Sequence, residues 1–159
     1  ILALNLKIVF CGTALAFRSA QTKTYYAHPG NFFWRTLYDV DLTPYLIAPA
    51  DYPIVAKFGL GLTDLCKNAY GQDSQLPSDS FDIIALRKKI QRFAPKILAF
   101  TSKTAAAAFM DLPTRNLNYG LQENSLKFTQ IFILPSPSGQ ARLFWDKKPW
   151  QELANLTMV

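Results

Sequence analysis

One carboxylate, Asp64, stands at the end of an apolar, β-favouring run, Gly59–Leu65 (GLGLTDL). An acid in that place either caps a turn or orients a water and stabilises a developing cation, and both readings are open from the residues. A second segment, Tyr25-Tyr26-Ala27-His28-Pro29-Gly30-Asn31, joins two aromatic faces to a turn and a helix cap. Aromatic side chains in a basic loop can stack on an extruded base, although tyrosines before a proline also serve plain packing. His28 by itself suits a hydrogen-bonded structural residue better than a catalyst. A third segment, Ser136-Pro137-Ser138-Gly139-Gln140-Ala141-Arg142, sets hydroxyls and backbone N–H groups on a tight turn with a cation close by. That is an ordinary strand-to-helix connection or a phosphate-holding loop that presents Gln140 to a gap in a base stack.

Several chemistries are excluded. The chain has no GxxxxGK[ST] and no GxGxxG, so a nucleotide cofactor has no phosphate loop to sit in. SPSGQAR lacks the second glycine of a nucleophile elbow. One histidine in the chain leaves no His-rich metal site, and a lone Cys–His pair makes no convincing thiol protease.

The elements that must position these residues follow from hydropathy. Four β-favouring runs stand out: Lys7–Thr13, Gly59–Leu65, Lys96–Ser102 and Gln130–Ser136. All but the Gly-rich second are near-continuous apolar runs, the pattern of strands buried on both faces of a parallel sheet. Helical patterns lie between them. Gly30–Asp41 gathers Phe33, Trp34, Leu37 and Tyr38, and a further helix falls within Pro44–Lys57. Ser80–Ala94 takes Ser80 as N-cap with Ile83, Leu86, Ile90 and Phe93 at core spacing. Lys103–Met110 is Ala-rich, and Trp145–Met158 closes the chain with Pro149 in its first turn. The alternation predicts an α/β protein, a three-layer α/β/α sandwich around a mainly parallel four-stranded sheet, as a single domain over residues 1–159. In such folds function gathers at the carboxyl ends of the strands, here GTALAFRSAQ, TDLCKNAYGQD, TSK and SPSGQAR.

The 159 residues carry 17 Lys+Arg against 11 Asp+Glu, a formal charge of +6. Charge is blocked along the chain. Lys7, Arg18, Lys23 and Arg35 precede any acid, seven Asp fall between Asp39 and Leu86, and seven cations against Asp111 follow between Arg87 and Arg115. The first and third blocks are either solvated faces or a phosphate-facing surface. With a pI near 9.4, nucleic acid is a fitting partner. Cys11 and Cys66 sit in apolar runs and read as buried thiols of a reduced, cytoplasmic chain. The opening ILALNLKIVF is too short and interrupted to span a bilayer, so no membrane partner is expected.

Taken together, VFCGTALAFRSAQ, YYAHPGNFFWRTLY, FGLGLTDL and LPSPSGQAR resemble the mismatch-specific uracil/thymine-DNA glycosylases, in the same order and at compatible spacing. The resemblance implies a monofunctional, monomeric DNA glycosylase of base-excision repair in the uracil-glycosylase fold. Such an enzyme flips a mispaired or damaged pyrimidine out of double-stranded DNA and cleaves its N-glycosidic bond, with no metal or organic cofactor. By position, Gly12, Thr13 and Ala14 would form the base pocket, Tyr26 would stack on the flipped base, and Asn31 would join the base-binding set. Ser19 would contact a phosphate or help to order the water. Arg18, Ser136, Ser138, Gly139, Gln140 and Arg142 would meet DNA, the last four in a loop that enters the minor groove.

The chain departs from the family where chemistry is concentrated. The family's first loop reads G-I-N-P-G and its Asn positions the attacking water; the equivalent residue here is Ala14, which can hold nothing. Losing a water ligand costs a few kcal/mol, on the order of 10²–10³ in rate. Asp64 is the candidate replacement for the missing polar group. Ser136 stands where several branches have His or Asn, and Gln140 replaces an apolar wedge. Three readings therefore stay open: a glycosylase for uracil, thymine or etheno-cytosine opposite G; the same enzyme class with a deaminated purine such as hypoxanthine as substrate; and a lesion-binding protein that does not cut.

Overall fold

The computed structural model describes residues 1–14, 17–66 and 81–158, and only the backbone of Phe17 and Arg18. Five strands form one sheet: β1 (Ile8–Gly12), β2 (Leu60–Asp64), β3 (Ile97–Phe100), β4 (Gly120–Leu126) and β5 (Thr129–Ile133), in the order β2-β1-β3-β5-β4. The pairs β1–β2, β1–β3 and β3–β5 are parallel, while β4 runs antiparallel to β5 with an irregularity between Leu121 and Ser125. The sheet thus has one strand more than the sequence predicts. β4 reads GLQENSL and is largely solvent-exposed at the sheet edge, so it carries neither an apolar run nor a clean alternation.

Alternate residues of the buried strands feed two separate cores. Ile8, Phe10, Ala99 and Phe132 face one side, where α2 (Phe33–Asp39), the 3₁₀ segment Pro49–Phe58 and α5 (Lys148–Thr157) cover them. Val9, Cys11, Leu98, Phe100, Ile131 and Ile133 face the other, under α3 (Ile83–Phe93) and α4 (Lys103–Met110). These layers form the expected α/β/α sandwich. The Ala-rich character of α4 has its reason here, since Ala105 and Ala106 are fully buried against the sheet. Helix α3 is capped by Asp82, whose carboxylate accepts from the Ala85 N–H at 2.9 Å. Ser80, the predicted cap, lies outside the described residues. Of the four core positions predicted for α3, Leu86 and Ile90 are buried, and Ile83 and Phe93 are only partly so.

Two indoles tie the core to the loops above it. Trp150, wholly buried and stacked on Phe10 (centroids 5.8 Å apart), donates its Nε1–H to the Pro135 carbonyl at 3.2 Å. Trp34 donates to the Tyr25 carbonyl at 3.0 Å. Each indole fills core volume and satisfies a loop carbonyl that would otherwise face apolar surroundings. Among the described residues no helix is long and apolar enough to cross a membrane.

Candidate active site

A cleft of about 460 Å³ opens at the carboxyl ends of the strands. Gly12, Thr13 and Ala14 line it from β1, Asp64 from β2, Thr101 to Thr104 from the β3–α4 turn, and Ser136 to Ser138 from the end of β5. Parallel register sets Gly12 directly beside Asp64. The pairing continues past the strands: the Leu65 N–H donates to the Gly12 carbonyl at 2.9 Å, and the Cys66 N–H to Thr13 at 2.7 Å. The first loop is therefore fastened to the acid-bearing strand end.

Gly12 leaves the acid its room. A Cβ there would lie 3.0 Å from Asp64 Oδ1, 3.5 Å from Thr101 Oγ1 and 3.6 Å from the Tyr26 hydroxyl oxygen. Three oxygens thus converge on one point of the cleft floor. Asp64 is only 6% exposed. Burial, and then the negative charge of Asp64, push the Tyr26 phenol well above its ordinary range; the same two causes raise Tyr25 to about 12. Both phenols therefore stay neutral at physiological pH, and the field of the carboxylate reaches the aromatic loop.

That loop is held under strain. Tyr26 has φ +50°, a left-handed conformation that costs an ordinary L-residue roughly 1–2 kcal/mol. Its ring stacks on Phe33 with centroids 3.9 Å apart, a contact worth about 0.5–1.5 kcal/mol beyond burial. The Tyr26 hydroxyl lies 3.3 Å from Thr101 Oγ1, and the Ala27 N–H donates to Ser19 Oγ at 2.9 Å. With the indole of Trp34 on Tyr25, these contacts together offset the strain.

Of the predicted site residues, Gly12, Thr13, Ala14, Ser19, Tyr26, Asn31, Asp64, Ser136, Ser138 and Gln140 all line this cleft. Ser19 is buried in α1 (Phe17–Thr22) and its hydroxyl oxygen holds the tyrosine loop. Asn31 Oδ1 accepts from the Phe33 N–H at 2.9 Å, so that oxygen starts helix α2. His28 Nδ1 accepts from the Gly30 N–H at 2.9 Å, the turn-forming role expected of it. Gly139 packs against Gly30, whose carbonyl oxygen would be 3.2 Å from a Cβ at 139. The Phe32 N–H donates to the Pro137 carbonyl at 2.8 Å, and the Arg142 guanidinium lies 5.5 Å from the Phe32 ring centre. The two loops read separately in the sequence are thus laced into one rim. Arg18 has a described backbone only, and the segment from Lys67 to Ser80 lies outside the described residues.

The charge blocks divide in the fold. Lys103 lines the cleft and Arg142 stands at its rim. The α3 cations Lys88, Lys89 and Arg92 line a different hollow with Leu62 and Phe93, Arg87 donates to the Phe109 carbonyl, and Arg35 pairs with Asp39 at 3.5 Å. Runs of like charge on a helix follow its turns, and nothing in their spacing obliges them to face the site.

Sequence reasoning did not single out Thr101, Tyr119 or Phe144, which also line the cleft. Thr101 lies in TSK, one of the strand-end segments, and is the only one of the three with a positional signal. Tyr119 immediately precedes the unrecognised strand β4, with Lys103 Nζ 4.5 Å from its ring centre.

The chain matches the family model described as "Uracil DNA glycosylase superfamily" over residues 1–155, and it belongs to that superfamily of DNA glycosylases. Its fold is similar to the solution structure of a "putative Uracil DNA glycosylase" from Methanosarcina acetivorans. The TM-score is 0.66 at 21% sequence identity, covering 99% of this chain and 94% of that one, a likeness that bears on fold alone.

Proposed function

We propose that this chain is a monofunctional, monomeric glycosylase of the mismatch-specific branch, acting on uracil opposite guanine in double-stranded DNA. The observation that carries the proposal is the convergence of a buried carboxylate, a neutral stacking tyrosine and a glycine floor at one strand-end cleft. Cleavage of deoxyuridine breaks the C1′–N1 bond, whose electron pair leaves on the uracil. The sugar becomes cationic, a water adds its oxygen to C1′, and the proton that the water loses ends on the uracil anion. Asp64 supplies negative potential to the sugar and Tyr26 holds the base, while backbone N–H groups of the first loop can donate to a uracil carbonyl. Uracil is a tolerable leaving group, so donors on its carbonyls and strain from flipping carry much of the barrier. Ser138, Gly139, Gln140 and Arg142 engage the strand from the rim.

A second reading rests on Ala14, which lines the cleft where the family has a water-holding Asn. It makes the chain a lesion binder that does not cut. Single-turnover assays with duplexes carrying U:G, U:A, T:G, etheno-C:G or hypoxanthine:T, each followed by alkali, separate the readings. The proposal expects breaks at U:G, with T:G and etheno-C:G testing the size of the pocket. Cleavage confined to hypoxanthine would move the substrate to a purine, and tight binding with no breaks would establish the binder.

A further inference from the structure

Thr101 follows the apolar strand β3, is only 4% exposed, and lines the cleft. Its N–H donates to the Cys11 carbonyl at 3.0 Å, which carries the β1–β3 ladder one residue past the strand. A β-branched side chain has little freedom left once its backbone is fixed, so the fold itself aims this hydroxyl. Burying a hydroxyl is costly unless it is hydrogen-bonded. This one has two partners, the Cys11 carbonyl at 3.4 Å and the Tyr26 hydroxyl at 3.3 Å.

The direction of the second contact follows from the first. A threonine hydroxyl carries one proton, and a carbonyl can only accept. With the Thr101 proton on Cys11, the Tyr26 O–H is the donor and Thr101 Oγ1 the acceptor. The phenol's single proton is thereby turned towards Thr101 and not towards Asp64, whose Oδ1 borders the same point above Gly12. A proton shared with Asp64 would blunt the negative potential of the cleft floor, and one shared with Thr101 leaves that potential in place.

The same contact completes the seating of the ring. Stacking on Phe33, with centroids 3.9 Å apart, sets the plane of Tyr26 but resists turning within that plane only weakly. A hydrogen bond at the far end of the ring supplies the missing restraint.

We propose that Thr101 is a positioning residue, which locks the Tyr26 ring in place for the base and keeps the phenol's proton away from Asp64. This rests on the glycosylase reading above and adds the group that aligns its aromatic platform. Thr101 acts through Tyr26 and does not touch the substrate.

The test uses the full chain and a U:G duplex, with single-turnover cleavage and duplex affinity measured separately. Thr101→Val keeps the shape and removes the hydroxyl, so cleavage should slow about 10-fold. Affinity should change by less than about threefold, and Thr101→Ser should restore most of the rate. Tyr26→Phe removes the same bond from its other end and should show the same loss, so it decides the matter if Thr101→Val does not fold. Adding Thr101→Val to Tyr26→Phe should slow cleavage by less than about twofold more. Losses that multiply in the double variant overturn the assignment, because Thr101 would then act on the substrate directly. So does a wild-type rate in Thr101→Val or in Tyr26→Phe, or a Thr101→Ser variant as slow as Thr101→Val, the mark of a packing role. Wild-type protein that cleaves no U:G duplex removes the glycosylase reading instead, and this proposal with it.

Discussion

Replacing Asp64 with Asn keeps the size of the side chain and removes its charge. The carboxylate is 6% exposed, and its Oδ1 lies 3.0 Å from the point above Gly12 where a Cβ would stand. A separation of about 5 Å between that charge and a developing cation over the cleft floor is taken to set the scale. At an effective dielectric constant of about 20, the attraction is roughly 3 kcal/mol, on the order of 10² in rate. Single-turnover cleavage of a U:G duplex should therefore fall by that factor in Asp64→Asn. Affinity for the duplex should stay equal or rise, since a negative charge has left the cleft proposed to receive DNA. A second readout is independent of turnover: Tyr25, raised to about 12 by burial first and Asp64 second, should titrate lower in the variant yet stay above its ordinary 10.0. A variant that cleaves at the wild-type rate refutes the electrostatic role. An unmoved Tyr25 titration refutes the claim that the charge reaches the loop.

Gly12→Ala places a methyl 3.0 Å from Asp64 Oδ1. The carboxylate must shift, and cleavage should fall at least ~10-fold with a drop of a few degrees in the thermal midpoint, because strained packing at one methyl costs about 1–3 kcal/mol; an unchanged rate would show that the floor is not used. Ser19→Ala strips the acceptor from the Ala27 N–H, and the loss of this partly buried bond should cost about 0.5–1.5 kcal/mol, read as a drop of a few degrees in thermal midpoint. No drop would mean that the loop does not depend on that bond. Because the folded pKa of Tyr25 lies above its unfolded value, its contribution to stability is complete below pH 10 and fades as pH rises through 12. Urea midpoints should decline across that window and decline less in Tyr25→Phe; parallel declines would contradict the linkage.

How much was legible depended on burial. β1, β3 and the stretch Ile131–Ile133 of β5 are covered on both faces, so their residues run apolar and announce themselves. β4 is covered on few positions, and its Glu123, Asn124 and Ser125 read as a loop until a neighbour is known. The cleft residues were legible because strand ends are sequence-local: Gly12, Asp64 and Ser136 each follow an apolar run. Their mutual distances were not, since the meeting of Asp64, Thr101 and Tyr26 depends on a strand order in which β1 lies between β2 and β3. The supporting role of Trp34 was hidden for a related reason. Its helical spacing marks it as core, which it is, and only the fold reveals that its N–H also anchors the tyrosine loop.

The central claim is that this cleft breaks a glycosidic bond. Its most direct measurement is the release of free base from a U:G duplex under single-turnover conditions, quantified by chromatography beside the abasic sites formed. The account predicts free uracil equal to abasic sites in the wild-type protein, with intact strands before alkali, and about one-hundredth of the rate in Asp64→Asn. Tight binding of the same duplex with no free base from the wild-type protein would contradict it.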